Sequence, residues 1–186
     1  MYSDDELYHQ YLSGDQSAGD SLMLRHGDAL TAYLNAFLHN EQDAEDLMLD
    51  CFAVILVQKP TIREGKFRPY LFKVARYKAN HLWKIRIRRN EFIMENAMED
   101  SLPGDLVSPE NEVLKNERNR ILEQCLNRIA PQYREILWLV YGMDMSYAQA
   151  AEVTGFNHKK IDNLLYHGKN QLRKELEKEG ITHADI

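Results

Sequence analysis

The sequence predicts an all-α chain made of two small helical domains. Three observations lead there. Apolar residues recur at intervals of three and four over most of the chain, with no run of strand alternation. Residues 95–110, rich in acid and carrying Pro103, Gly104 and Pro109, interrupt that periodicity. Beyond them, residues 147–166 have the spacing of a DNA-binding helix-turn-helix. We therefore expect a first domain over residues 1–94, a flexible acidic linker over 95–112 and a second domain over 113–186.

Taken in order, residues 21–38 place Leu22, Leu30, Tyr33, Leu34 and Phe37 on one stripe. In residues 41–58, Ala44, Leu47, Met48, Cys51, Phe52 and Ile55 do the same, and Pro60 stops the helix. Residues 59–66 form a short basic loop containing Gly65. From about 68 to 89 the pattern resumes, with Leu71, Val74, Ala75, Leu82 and Ile85 expected inward. Helices are expected again from near residue 111 to about 179. Ile121, Leu122, Cys125, Leu126 and Ile129 form one stripe; Pro131 starts the next helix, where its missing donor matters little, and Gly142 ends it.

In the helix-turn-helix, Ser146 and Gln149 make a capping box. Ala151 is small where two helices cross, and Gly155 suits a left-handed turn. Asn157 caps the second helix, and Ile161 and Leu164 face its partner. That orientation turns His158, Lys159, Lys160, Asn163 and His167 outward, where such side chains meet phosphates and base edges.

Composition narrows the function. The 186 residues are 44% hydrophobic and 28% charged, with a net charge of -6. The charge is segregated. Residues 1–58 hold eleven acids against Arg25 alone, residues 59–89 hold eleven Lys and Arg against Glu64 alone, and 90–117 are acidic again. A basic face inside an acidic protein points to nucleic acid. Within that face, cations alternate with Phe67, Tyr70, Phe72, Tyr77 and Trp83, rings able to stack on bases that have left a duplex. No stretch has the roughly 20 apolar residues of a membrane span, and the acidic N-terminus lacks signal-peptide features, so a cytoplasmic protein without membrane insertion is expected. Cys51 and Cys125 sit among apolar residues and are expected as buried free thiols. Glu45, Asp46 and Asp50 share one side of a helix without a histidine or second acidic motif. No metal site, cofactor or catalytic constellation is expected, and the chain does not read as an enzyme.

The order DAEDLMLDCF, then FRPYLFKVARYKANHLWKIRIRR, an acidic linker, then IAPQYREILWLVYGMDMSYAQAAEVTGFNHKKIDNLLYHGKNQLRKEL resembles a bacterial RNA polymerase sigma factor of the sigma-70 family, extracytoplasmic-function group. The resemblance implies a first domain like sigma region 2 and a second like region 4. It implies that Asp43, Glu45, Asp46, Leu49, Asp50 and Phe52 dock on the clamp helices of the polymerase's largest subunit. Arg63, Lys66, Phe67, Arg68, Tyr70, Lys73, Arg76, Tyr77, Asn80, Lys84 and Arg88 would recognise and melt the -10 element. The helix after Asn157 would read the -35 element through Asn157, His158, Lys159, Lys160, Asn163 and His167, and its domain would touch the flap of the second-largest subunit. The linker would thread near the RNA exit path, and an anti-sigma factor is a further candidate partner. The sequence departs from the family pattern at Leu49, Tyr70, Tyr77 and His81. The alternatives are a stand-alone helix-turn-helix regulator on duplex operators and an enzyme acting on nucleic acid. The second basic-aromatic segment speaks against the first, and the missing catalytic constellation against the second.

Overall fold

The computed structural model describes residues 2–96 and 116–181. Among them there are helices and turns only: α1 (Asp4–Leu12), α2 (Gln16–Leu38), α3 (Glu41–Gln58), α4 (Phe67–Asn96), α5 (Asn116–Arg128), α6 (Pro131–Leu137), α7 (Tyr147–Thr154) and α8 (His158–Lys178). A π-helical turn, Trp138–Gly142, extends α6.

Helix α1 was not expected from periodicity, although its signal is present. Ser3 and Glu6 form a reciprocal capping box, and Asp4, Asp5 and Glu6 complement the positive helix start. Leu7 and Tyr8 are buried, while the Tyr8 and Tyr11 hydroxyls donate to the carbonyls of Pro60 (2.8 Å) and Leu56 (2.9 Å). These bonds fasten the N-terminus over the end of α3. Asp4 further receives Arg25 (2.6 Å) and His26 (2.9 Å) from α2. Burial alone would raise its pKa, but those two partners outweigh burial and hold it below the usual value.

Helix α2 starts at Gln16, earlier than expected, because Asp15 caps it through the Ser17 amide. Helix α3 has its expected bounds, with Asn40 as cap and a left-handed Lys59 before Pro60. Helix α4 is longer than its apolar pattern: it runs to Asn96, so residues 95 and 96 of the expected linker are helical. The rest of the expected linker, 97–112, lies outside the described residues, and so does the expected helical start near 111. Leu22, Leu30, Tyr33, Leu34, Cys51, Phe52, Ile55, Phe67, Leu71 and Phe72 form the centre of this half. Two expectations fail: Ile85 (47% exposed) and Leu122 (40% exposed) are exposed rather than buried.

In the other half, Cys125, Ile129, Ile136, Leu139, Ala150, Val153, Ile161 and Leu165 are buried. Gly142 sits where a Cβ would meet the Trp138 ring at 2.5 Å, so glycine permits the π turn to close. Both cysteines are free and buried; burial pushes the Cys51 thiol up to about 12. The two helical halves expected from the sequence are present, and they also touch one another. The buried residues of both halves join in one apolar cluster, and α7 packs along α4. Tyr33 and Phe72 of the first half and Ile136 and Leu139 of the second all belong to it.

Candidate nucleic-acid interface

The helix-turn-helix is built as its sequence specifies. Ser146 Oγ accepts from the Gln149 amide (3.2 Å), and Gln149 Oε1 accepts from the Ser146 amide (2.9 Å). Gly155 takes φ +74° and donates from its amide to Ala151. Asn157 Oδ1 accepts from the Lys160 amide (2.9 Å), which fixes the start of α8 and is worth about 1 kcal/mol. Ala150, rather than Ala151, is the fully buried small residue of α7.

With Ile161, Leu164, Leu165 and Gly168 turned inward, α8 presents Lys159, Asn163, Tyr166 and His167 to the outside. Asn157 is exposed but committed to its cap. His158 lies 6.3 Å from the Tyr147 ring, and His167 lies 5.3 Å from Tyr166. Lys160 is not simply outward: its ammonium stands 3.7 Å from the centroid of Phe156. Tyr166 (66% exposed) was missed by the sequence reading, although its place three residues after Asn163 marks it as a neighbour on one face. Tyr141, also exposed, carries Lys169 at 4.6 Å.

Helix α4 is different. Arg63, Lys73, Tyr77, Asn80, Lys84 and Arg88 are exposed. A cleft of about 540 Å³ runs between Lys73, Arg76, Tyr77, Asn80, His81 and Lys84 on one side and Val153, Thr154 and Gly155 on the other. Phe67, expected as a stacking ring, is 1% exposed and packs on Tyr8 and His26. Tyr70 is half-buried. Three of the expected DNA-binding cations are taken by the second half. Lys66 pairs with Glu152 of α7, and Arg68 donates to the Met143 carbonyl. Arg76 Nε donates to Glu135 Oε1 (2.6 Å) and its second arm reaches Oε2 (3.4 Å).

Glu135 is also the acceptor for the buried Tyr33 hydroxyl (3.1 Å). Burial first, then the Glu135 charge, holds the Tyr33 pKa well above its ordinary value. Burial alone would lower that of Arg76, but the bond and charge of Glu135 prevail and raise it. Beside this pair Arg134 is buried with Nε unbonded; it meets Asn127 (2.7 Å) and His39 (3.2 Å), and burial lowers its pKa. Phe37, Trp83, Pro131 and Phe156 close the cavity of about 260 Å³ above them. Glu135, Glu152 and Tyr33 were not legible as partners, since no local pattern links residues 59 to 102 positions apart.

On α3, Glu45, Asp46 and Leu49 (48% exposed) face outward as expected. Asp50 is exposed but bonded to Lys78, and Asp43 is bonded to Arg86, so α4 neutralises part of this acidic face. Phe52 is 1% exposed and belongs to the core; the periodicity that placed it on the apolar stripe outweighs its expected role in docking. Among the described residues no group of His, Cys, Asp and Glu could hold a metal ion, and no helix is long and apolar enough to cross a membrane.

A family model for sigma-70 region 2 matches residues 22–92, and one for sigma-70, region 4 matches residues 119–172. The chain is 30% identical over 171 residues to the RNA polymerase sigma factor NccH of Alcaligenes xylosoxydans xylosoxydans, covering 91% of this chain and 92% of that protein. It is 25% identical to the ECF RNA polymerase sigma factor SigE of Mycolicibacterium smegmatis, covering 89% of this chain and 65% of that one. The structure of CnrH in complex with the cytosolic domain of CnrY is similar at TM-score 0.68 and 23% identity, over 94% of this chain and 97% of that one. The sigma factor RpoE of Bartonella quintana, in complex with the anti-sigma factor NepR, is similar at TM-score 0.63 and 20% identity, over 85% and 96%.

Proposed function

The chain belongs to the sigma-70 family, in its ECF group, and from that premise we propose how its surfaces divide the work of promoter recognition. It binds core RNA polymerase and directs promoter-specific initiation. The observation that carries this reading is the match of the two family regions, in order, to the two halves that bear the basic-aromatic helix and the helix-turn-helix.

Within it, α8 reads the -35 element, with Asn163, Lys159 and His167 toward the major groove and Tyr166 beside them. Asn157 positions the helix rather than touching bases. Arg63, Lys73, Tyr77, Asn80, Lys84 and Arg88 contact the -10 element; exposed tyrosine and tryptophan rings beside cations suit bases that leave the stack. Phe67 supports this face from beneath. On α3, Glu45, Asp46 and Leu49 dock on the clamp of the polymerase. These are binding roles, and no bond-making step is assigned to any residue.

Run-off transcription with core polymerase on genomic fragments tests the reading, with permanganate footprinting to detect melted thymines. Start sites that depend on this chain and carry reactive thymines just upstream are expected. A holoenzyme that binds a promoter without making thymines reactive would remove the melting role from the α4 face.

A further inference from the structure

We propose that the cavity at the seam where α2 and α4 meet α6 is a binding site for a small aromatic carboxylate, whatever the chain does at a promoter. The charged group at this site is Arg134. Its side chain is 8% exposed, yet no carboxylate pairs with it among the described residues. Both of its hydrogen bonds leave from Nη1, to Asn127 Oδ1 (2.7 Å) and His39 Nε2 (3.2 Å), while Nε is buried without an acceptor. Burial first, then the Arg134 charge, holds the His39 pKa below its ordinary value, so that ring accepts as a neutral imidazole. Neither partner is therefore an anion. Burial lowers the Arg134 pKa with no neighbouring charge to oppose it. A guanidinium enclosed without a counter-charge is costly, and an anion that reaches it removes the cost.

The cavity wall fixes the charge and shape of that anion. Glu135, the acid on the wall, is already committed to Arg76 and Tyr33. Two guanidiniums thus meet one carboxylate, and the remaining positive charge suits a monoanion. Phe37, Trp83, Pro131 and Phe156 enclose about 260 Å³. An apolar cavity of roughly 150 Å³ admits benzene, so this space takes a flat bicyclic body. Trp83 is 57% exposed and has surface left for a second ring. A carboxylate on such a body can meet the side of Arg134 away from Nη1 in the planar, two-bond manner that guanidinium favours. Inorganic phosphate would leave the rings uncovered and bring a second negative charge toward Glu135.

The test uses the full chain and titration calorimetry, with naphthoate as probe and its neutral analogue naphthamide as control. Naphthoate should bind at one site and shift the Trp83 indole signal in nitrogen–proton spectra. Naphthamide should bind at least about tenfold more weakly, because it cannot neutralise Arg134. In Arg134→Met that preference should vanish while naphthamide binding persists. If Arg134→Met does not fold, Gln132→Glu at the exposed rim of the cavity replaces it. The added charge should weaken naphthoate by at least about threefold and leave naphthamide unchanged. No binding of naphthoate at millimolar concentration would overturn the proposal. So would equal affinity for acid and amide, a preference that survives in Arg134→Met or is untouched by Gln132→Glu, or inorganic phosphate binding as tightly as naphthoate.

Discussion

Helices α4 and α8 are both amphipathic and both carry cations, yet their polar faces have opposite fates. On α8 the face centred on Asn163 looks into solvent, since Ile161, Leu164 and Leu165 use up the helix's apolar side within its own half. On α4 the face that bears Arg76 is met by a second helical layer. Lys66, Arg68 and Arg76 find Glu152, Met143 and Glu135 there. A cation on an amphipathic helix is thus not by itself a free binding group. What decides is whether another element of the chain supplies an acceptor at the same place.

The largest effect separating the two faces should come from the inner side of α8. Ile161 is fully buried, so Ile161→Ala should destabilise the chain by about 2–5 kcal/mol in urea melts. On the outer side Asn163→Ala should stay within about 0.5 kcal/mol. A large stability loss from Asn163→Ala would show that the outer face is not free. Next comes the seam. Glu135→Ala strands both the Arg76 guanidinium and the Tyr33 hydroxyl, and partial exposure of Arg76 keeps the expected loss to about 2–3 kcal/mol in the same melts.

Transcription sharpens the contrast. At limiting protein, Asn163→Ala should lower promoter-specific transcription by a base contact's worth, about 1–3 kcal/mol. Lys160→Ala should lower it less, because its ammonium is engaged with Phe156. Equal losses would return Lys160 to the reading face. On the acidic side, Asp46→Arg should slow association with core polymerase roughly tenfold at low salt while leaving the melt unchanged. Asp50→Arg should also disturb Lys78.

The smallest effect lies at α1 and serves as a control outside both faces. Asp4 has a lowered folded pKa, so its stabilisation is fully present above the ordinary value of 3.8 and disappears as pH falls through the folded value. Lowering the pH from about 5 to below the folded pKa of Asp4 should weaken the hold of α2 on α1. The Tyr8 and Tyr11 signals in proton spectra should report it while α8 signals remain. A titration that moves α8 first would contradict this assignment.

How much could be read in advance depended on the range of each interaction. Caps and turns are local: Ser146 with Gln149, Gly155 and Asn157 act within four residues, so their chemistry stood in the sequence and the structure repeats it. The apolar stripes of α2 and α3 were legible for the same reason, since a helix repeats its buried face at fixed spacing. Even the missed α1 carried its signal in Ser3 and Glu6. The basic-aromatic character of α4 was plain, but not which of its members stayed free. Phe52 already stood on the apolar stripe of α3, whereas only three-dimensional packing assigned Phe67 to the core. Arg76 and Glu135 lie 59 positions apart and Tyr33 and Glu135 lie 102 apart, distances over which no periodicity links one residue to another. The sequence by itself determined the helices, their caps and the outward face of α8, because those follow from backbone hydrogen bonds and neighbours a turn away. The closing of α4 against α7, and with it the occupancy of Lys66, Arg68 and Arg76, was decided only by the tertiary structure. Charges pair according to where two folded surfaces meet, and that meeting is a property of the whole chain.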